Sequence, residues 1–195
     1  MSFKEIVNTI KISKEFMLNF VKQGQVVLDC TVGNGNDTLI LAKCVGHTGK
    51  VYGFDIQKEA IERTKEKLDC ENLGKHVILI LDGHENIDIY IKEELDFVIY
   101  NLGYLPRGDK SIITKKETTL ISLEKALGLL KENGVLLITC YIGHEGGLEE
   151  KNAVETFLTS LDQGKYNVLK HEFINQQNKP PILFIIEKSK TGGIK

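Results

Sequence analysis

Long apolar runs are missing from this chain. None approaches the roughly 20 residues that cross a bilayer, so no membrane partner is expected. The first stretch, MSFKEIVNTIKISKEFMLNFV, carries charges throughout and no uninterrupted apolar core, which argues against a signal peptide. Cysteine is scarce and scattered: Cys30, Cys44, Cys70 and Cys140 form neither a CxxC pair nor a zinc spacing. The spacing excludes a disulfide framework and gives no metal site, and it suits reduced thiols in a cytoplasmic protein. An excess of either charge is missing too. Lys and Arg number 25 against 27 Asp and Glu, a net charge of −2. No strong global field therefore draws in nucleic acid, although a local basic patch stays open. Repeats, low-complexity tracts and interdomain linkers are absent. The 195 residues suit one α/β domain over 1–195, with an N-terminal helical segment at 1–22.

What the chain does have is alternation. Phe3, Ile6, Ile10, Phe16, Phe20 and Val21 recur at helical spacing in 3–22. QVVLDCT reads as a first strand, followed by a helix from Asp37 to Cys44. KVYGFDI is a second strand with a helix at 57–70, VILILDG a third and LDFVIYNL a fourth. A helix at 116–131 is expected to stop at the glycine of ENG. VLLITCYI is a fifth strand, and LEEKNAVETFLTSLD a further helix. The chain closes with YNVLKHEFI and PPILFIIEK, joined by a proline-bearing loop too short for a crossover helix. These two are expected to pair antiparallel at the sheet edge. Their connection, NQQNKPP, reads as a hairpin turn rather than a rim over a site. The expected fold class is α/β: a Rossmann-like doubly wound, mostly parallel seven-stranded sheet with an antiparallel edge strand and helices on both faces. Such sheets bind ligands outside the C-terminal ends of their strands, at the switch point.

The DCTVGNGNDT loop after the first strand is the sharpest signal, and three ligands compete for it. A phosphate-cradling P-loop needs a lysine after its last glycine, and none follows Gly35. A dinucleotide fingerprint needs a third small residue, and Thr38 stands in its place, while Thr31 stands where many such loops begin with glycine. The third candidate is S-adenosylmethionine, which carries no phosphate. Gly33 and Gly35 give the turn and close approach, and Asp29, Asn34, Asn36 and Asp37 suit an ammonium and a carboxylate better than a diphosphate. A tight turn with no ligand is the bland option.

Other strand ends supply partners for the loop. Asp55, with Ile56 and Gln57 behind it, ends the second strand 20 residues after Gly35, where a carboxylate can accept from both ribose hydroxyls. This also fits NAD. Asp82, Gly83 and His84 end the third strand near where an adenine edge would lie, or form a solvated turn. NLGYLP ends the fourth, where a transferred methyl group would emerge.

At this point the sequence resembles the class I S-adenosylmethionine-dependent methyltransferases. Within them it is similar to a small bacterial family labelled as rRNA methylases (YtqB-like). The resemblance covers nearly the whole chain and rests on DCTVGNGNDT, GFDIQ, LDGHE, NLGYLPRGDK, the TT at 118–119 and YIGHEGG. It implies S-adenosyl-L-methionine as cofactor and tRNA, at its anticodon stem-loop, as partner. The implied reaction methylates the aminomethyl group of 5-aminomethyl-2-thiouridine at the wobble position. Expected cofactor contacts are Asp29, Thr31, Gly33, Asn34, Gly35, Asn36, Asp37, Thr38, Asp55, Ile56, Gln57, Asp82, Gly83, His84, Asn101 and Leu102.

Asn101-Leu102-Gly103-Tyr104 occupies the place of the NPPY-type tetrad of amine-directed methyltransferases, but lacks both prolines. Asn101, Tyr104, Asp109 and His144 are the catalytic candidates, with Tyr104, Arg107, Lys110, Tyr141 and His144 on the substrate side. Tyr104 either stacks on a base or packs beside the sheet. Because an aliphatic amine is mostly protonated at neutral pH, the site must favour its neutral form. Asp109, His84 and His144 are the available proton acceptors, and positioning is expected to dominate. Arg107, Lys110, Lys115 and Lys116 either grip phosphates or form a solvated loop. An rRNA or small-molecule amine acceptor, an NAD-linked oxidoreductase and a non-catalytic binding module remain the alternatives. The small size and the N-terminal helical segment leave a homodimer open.

Overall fold

The computed structural model describes residues 8–105 and 112–190. All its named strands join one seven-stranded sheet of order β3-β2-β1-β4-β5-β7-β6. Five strands run parallel: β1 (Val26–Asp29), β2 (Lys50–Asp55), β3 (Val77–Leu81), β4 (Leu95–Leu102) and β5 (Leu130–Cys140). The closing strands β6 (Tyr166–His171) and β7 (Ile182–Lys188) form the expected antiparallel pair at one edge. The reversed strand β7 lies between β5 and β6, so β6 holds the outermost place.

Strand periodicity divides the core in two. Val98, Tyr100 and Leu102 of β4 point to one face, where they meet Leu123, Ala126 and Leu127 of α5 (Lys116–Leu129) and Val154 and Leu158 of α6 (Gly147–Thr159). The short α4 (Ile87–Tyr90) adds Ile87 to this layer. Phe97 and Ile99 point the other way, onto Met17 of α1 (Thr9–Phe20), Leu41, Ala42 and Val45 of α2 (Asn36–Val45), and Leu68 of α3 (Lys58–Cys70). With both faces covered, the parallel strands read as near-continuous apolar runs. Within the N-terminal segment, Asn8 caps α1 by accepting from the Lys11 N–H at 2.8 Å. Phe3 and Ile6 lie outside the described residues.

One element boundary differs from the sequence reading. The helix expected to run to the ENG glycine ends at Leu129, and β5 begins at Leu130. Leu130 pairs with Leu95, and the next ladder pair is Phe97 with Val135, so 131–134 bulge out of register. Asn133 has φ +61, and a Cβ on Gly134 would sit 2.8 Å from the Lys131 carbonyl. Gly134 therefore closes a tight bulge inside a strand instead of capping a helix. The bulge is pinned by Lys131 Nζ on Asp96 at 2.8 Å, and Asp96 also accepts from the Val26 N–H at 2.8 Å.

Candidate active site

The order β3-β2-β1-β4 places the switch point between β1 and β4, and a cavity of about 1000 Å3 opens beyond these strand ends. The loop from Cys30 to Asn34 lines it. Gly33 and Gly35 both take positive φ, +53 and +74. At Gly35 a Cβ would fall 2.5 Å from Thr64 Oγ1 of α3, so the position is closed to any side chain. The third close approach comes from the opposite partner: a Cβ on Gly53 of β2 would meet Val32 Cγ2 at 2.7 Å and Thr38 Cγ2 at 3.9 Å. Glycine on the strand thus makes room for Val32 of the loop, while Thr38 would sit at ordinary contact distance. Thr38 uses its hydroxyl, donating to Asp29 Oδ2 at 2.6 Å, while the Thr31 N–H donates to Asp29 Oδ1 at 3.1 Å. Burial, then the charge of Asp37, pushes the Asp29 carboxyl up to about 7 against these hydrogen bonds.

Asp55 braces the loop from β2, accepting from the N–H groups of Gly33 (2.8 Å) and Gln57 (2.9 Å). Its carboxyl is raised by burial, with the backbone hydrogen bonds opposing. Lys67 of α3 clamps the loop from outside, donating to the Asn34 carbonyl at 2.6 Å and Asn36 Oδ1 at 3.3 Å. At the end of β3, Asp82 accepts from Tyr90 Oη (2.8 Å), Asn86 Nδ2 (3.0 Å) and the Gly83 N–H (2.7 Å), and these bonds hold its carboxyl low. His84 is buried edge-on to Tyr100, with ring centroids 5.8 Å apart. Burial pushes its imidazole down to about 4, so the ring is neutral, and Nδ1 has no hydrogen-bond partner among the described residues.

Asn101, at the end of β4, is fixed from two sides. Its backbone N–H donates to Thr31 Oγ1 at 2.8 Å, and its Nδ2 donates to Asp37 Oδ2 at 2.8 Å. The carboxamide is thereby oriented with its oxygen as an acceptor unengaged among the described residues. Burial raises the Asp37 carboxyl, while the Asn101 hydrogen bond and the Lys14 charge oppose. Across the cavity, Tyr104 meets His144 edge-on with ring centroids 5.7 Å apart. His144 Nδ1 lies 2.9 Å from the Glu145 carbonyl, which can only accept. The proton therefore sits on Nδ1, and Nε2, buried and without a partner among the described residues, presents a lone pair. Gly103 leaves it room: a Cβ there would stand 3.6 Å from His144 Nε2 and 3.3 Å from Tyr141 Cβ.

The structure gathers most sequence-derived candidates around this cavity. Thr31, Gly33, Asn34, Asn36, Asp37, Asp55, Ile56, Gln57, Asp82, Gly83, His84, Asn101, Tyr104, Tyr141 and His144 all line it. Asp29, Gly35, Thr38 and Leu102 do not, and the side chains of Asp29, Thr38 and Leu102 are buried in its walls. Arg107, Asp109 and Lys110 lie outside the described residues. Lys115 lines the cavity, whereas Lys116 stands between Glu117 and Glu149 at 3.9 and 4.0 Å. Sequence reasoning missed four contributors. Ile10 of α1 and Lys179 and Pro181 of the β6–β7 loop line the cavity, so that loop is more than a turn. Glu150 of α6 is buried and accepts from Thr114 Oγ1 and Thr119 Oγ1, each at 2.7 Å, tying the far wall to α5. A glutamate in LEEK carries no sign of that burial.

The family model described as "Putative rRNA methylase" matches residues 51–187. The chain belongs to this family. A second model, protein-L-isoaspartate(D-aspartate) O-methyltransferase, matches residues 6–88. Among solved structures, a putative rRNA-methylase from Clostridium thermocellum is 48% identical with TM-score 0.91, over 96% of this chain and 100% of that one. A putative methyltransferase from Streptococcus mutans in complex with SAH is 40% identical with TM-score 0.83, over 92% and 97%. The "tRNA (mnm(5)s(2)U34)-methyltransferase, chloroplastic" of Arabidopsis thaliana is 39% identical over 178 residues, 86% of this chain and 65% of the plant protein. The chain thus spans just under two thirds of that relative's length, and 27% of a Clostridium botulinum ribosomal RNA small subunit methyltransferase H that it matches at 35% identity. The resemblance drawn from the loop and strand-end motifs therefore holds at the level of family and fold.

Proposed function

We propose that this chain is an S-adenosyl-L-methionine-dependent N-methyltransferase acting on the aminomethyl group of 5-aminomethyl-2-thiouridine at the tRNA wobble position. The observation that carries the reading is the Asp37–Asn101 pair, which holds a carboxamide acceptor at the end of β4 inside the cavity. The cavity chemistry fits the cofactor. Asp37, Asp55 and Asp82 face it without an ion-pair partner among the described residues, an arrangement suited to a cationic ligand and hostile to a diphosphate. The SAH complex of the Streptococcus mutans relative supports the same choice. Asp55, Gln57 and the 33–36 backbone would hold the ribose and amino-acid portions. When bound, S-adenosyl-L-methionine supplies an electrophilic methyl group on a sulfonium.

The residues of the chain then have to align and deprotonate an amine. Asn101 Oδ1 accepts one amine N–H and turns the nitrogen lone pair toward the methyl. His144 Nε2 has the tautomer and the free lone pair to take the proton. His84 is a poor proton acceptor, because burial holds its ring neutral down to about 4. Alignment by Asn101 is the larger contribution, and His144 a supporting one. Tyr104, 40% exposed at the mouth, offers a stacking surface for the base. The plant relative's name supports tRNA as the acceptor. The four free thiols suit a cytoplasmic enzyme, and we keep a homodimer as part of the reading on the strength of the exposed Ile10, Leu18 and Phe20 of α1. Among the described residues no helix is long and apolar enough to cross a membrane.

The test is mass analysis of wobble-uridine nucleosides in tRNA from a deletion strain. Accumulation of 5-aminomethyl-2-thiouridine, reversed by the wild-type gene and not by Asn101→Ala, is the expected result. An unchanged nucleoside profile would remove tRNA as the acceptor.

A further inference from the structure

The loop between β6 and β7 runs EFINQQNKPP, with few apolar side chains to anchor it. It is nevertheless fixed against the molecule: the buried Thr9 hydroxyl of α1 donates to the Pro181 carbonyl at 2.8 Å. This contact brings Lys179 and Pro181 to the edge of the active-site cavity, next to Ile10. Lys179 is exposed and takes φ +46. A non-glycine residue in that region costs on the order of 1–2 kcal/mol, so the side chain is present despite its backbone. Asn175, Gln176, Gln177 and Asn178 precede it, all exposed, each with a donor and an acceptor.

The cavity lining carries both signs of charge. Asp37, Asp55, Asp82 and Glu85 are half-buried there, whereas Lys115 and Lys179, from separate segments, are exposed. Among the described residues neither lysine has an ion-pair partner, unlike Lys116 beside Glu117 and Glu149. Half-buried carboxylates receive a cationic ligand, and exposed cations meet an anionic one. A nucleotide reaching inward from a single strand brings exactly one phosphate on each side of its sugar, and these must stay near the mouth.

We propose that the β6–β7 loop is an RNA-contacting lip, in which Lys179 holds a backbone phosphate next to the inserted nucleotide and the 175–178 amides meet the edges of neighbouring unpaired bases. This rests on the reading of the acceptor as RNA. The occupant is a single-stranded RNA loop, because only there are base edges and phosphates offered together to a polar, amide-rich segment.

The test is binding of an unmodified anticodon stem-loop RNA, followed by fluorescence anisotropy at low and moderate salt, with SAH affinity measured in parallel by calorimetry. Lys179→Glu should weaken RNA binding about tenfold and Lys179→Gln less, while the slope of log K against log salt shrinks by about 0.7 for one lost single-strand phosphate contact. SAH affinity should stay within about twofold in both variants, which shows an intact fold. Lys165→Glu, on the segment leading into β6 at the opposite end of the sheet, should bind RNA as the wild type does. Wild-type RNA affinity and salt slope in Lys179→Glu would overturn the lip and leave the RNA reading standing. Failure of the wild-type protein itself to bind the RNA would overturn both.

Discussion

At the scale of single residues, the site depends on side chains that hold other side chains. Asn101 is useful because Asp37 and Thr31 fix both its amide groups. Asn101→Ala should lower kcat about 100-fold, the cost of losing alignment, with SAH affinity nearly unchanged by calorimetry. Asp29 is a different case, since it never reaches the cavity and supports the loop from below. Its folded carboxyl is raised to about 7 by burial and the Asp37 charge, above an unfolded value of about 3.9. The folded state therefore keeps a proton that the unfolded chain has lost. This contributes stability below about pH 4 that is lost as pH rises toward 7, with a limiting slope of about 1.4 kcal/mol per pH unit. His84, held down to about 4 by burial, acts in the opposite sense, its stabilisation being lost as pH falls below the ordinary histidine range. The wild-type profile alone blends the two. Thermal unfolding of Asp29→Asn against wild type from pH 4 to 8, without cofactor, separates them. The variant should gain relative stability as pH rises to about 7 and level off above it; parallel profiles would show that Asp29 is ionised in the fold throughout.

At the scale of elements, the decisive junction is where the glycine loop enters α2. Gly35 starts the helix from φ +74, against the side chain of Thr64 in α3. Gly35→Ala should cost at least about 1 kcal/mol from backbone conformation alone, and more from the collision with Thr64. Adding Thr64→Ala should recover the collision part and leave the conformational part. Denaturant midpoints of the wild type, both single variants and the double variant measure the two portions. A double variant no more stable than Gly35→Ala would mean that α3 already yields to the extra carbon.

At the scale of the whole molecule, the sheet brings remote segments to one opening, and charge sorts them by exposure. The carboxylates Asp37, Asp55 and Asp82 on its lining are half-buried and the lysines Lys115 and Lys179 on it are exposed. A ligand that binds only the folded state stabilises it by about 2.7 kcal/mol at 100 times its Kd. S-adenosyl-L-methionine should accordingly raise Tm by several degrees, whereas NAD at the same concentration should leave it unmoved, because its diphosphate would face Asp37 and Asp55. Equal shifts with both would contradict the charge argument.

Much of this was legible in the residues themselves. Strand and helix alternation is local, since side-chain period and propensity act within a few residues, and it placed the five parallel strands in chain order and paired the closing two antiparallel. The GNG turn and the NLGY string are likewise local signals, and they led to the family. What the sequence could not carry were contacts between segments far apart. Gly53 has no room for a side chain only because Val32 of the distant loop packs against β2; the break at Leu130 exists because that residue must pair with Leu95; and Glu150 is a buried acceptor only because Thr114 and Thr119 converge on it. The β6–β7 loop reads as a plain turn until Thr9, far away in sequence, pins it over the cavity. Local pattern fixes the elements and their chemistry, while burial and long-range pairing decide which side chains face the ligand and which hold the wall behind it.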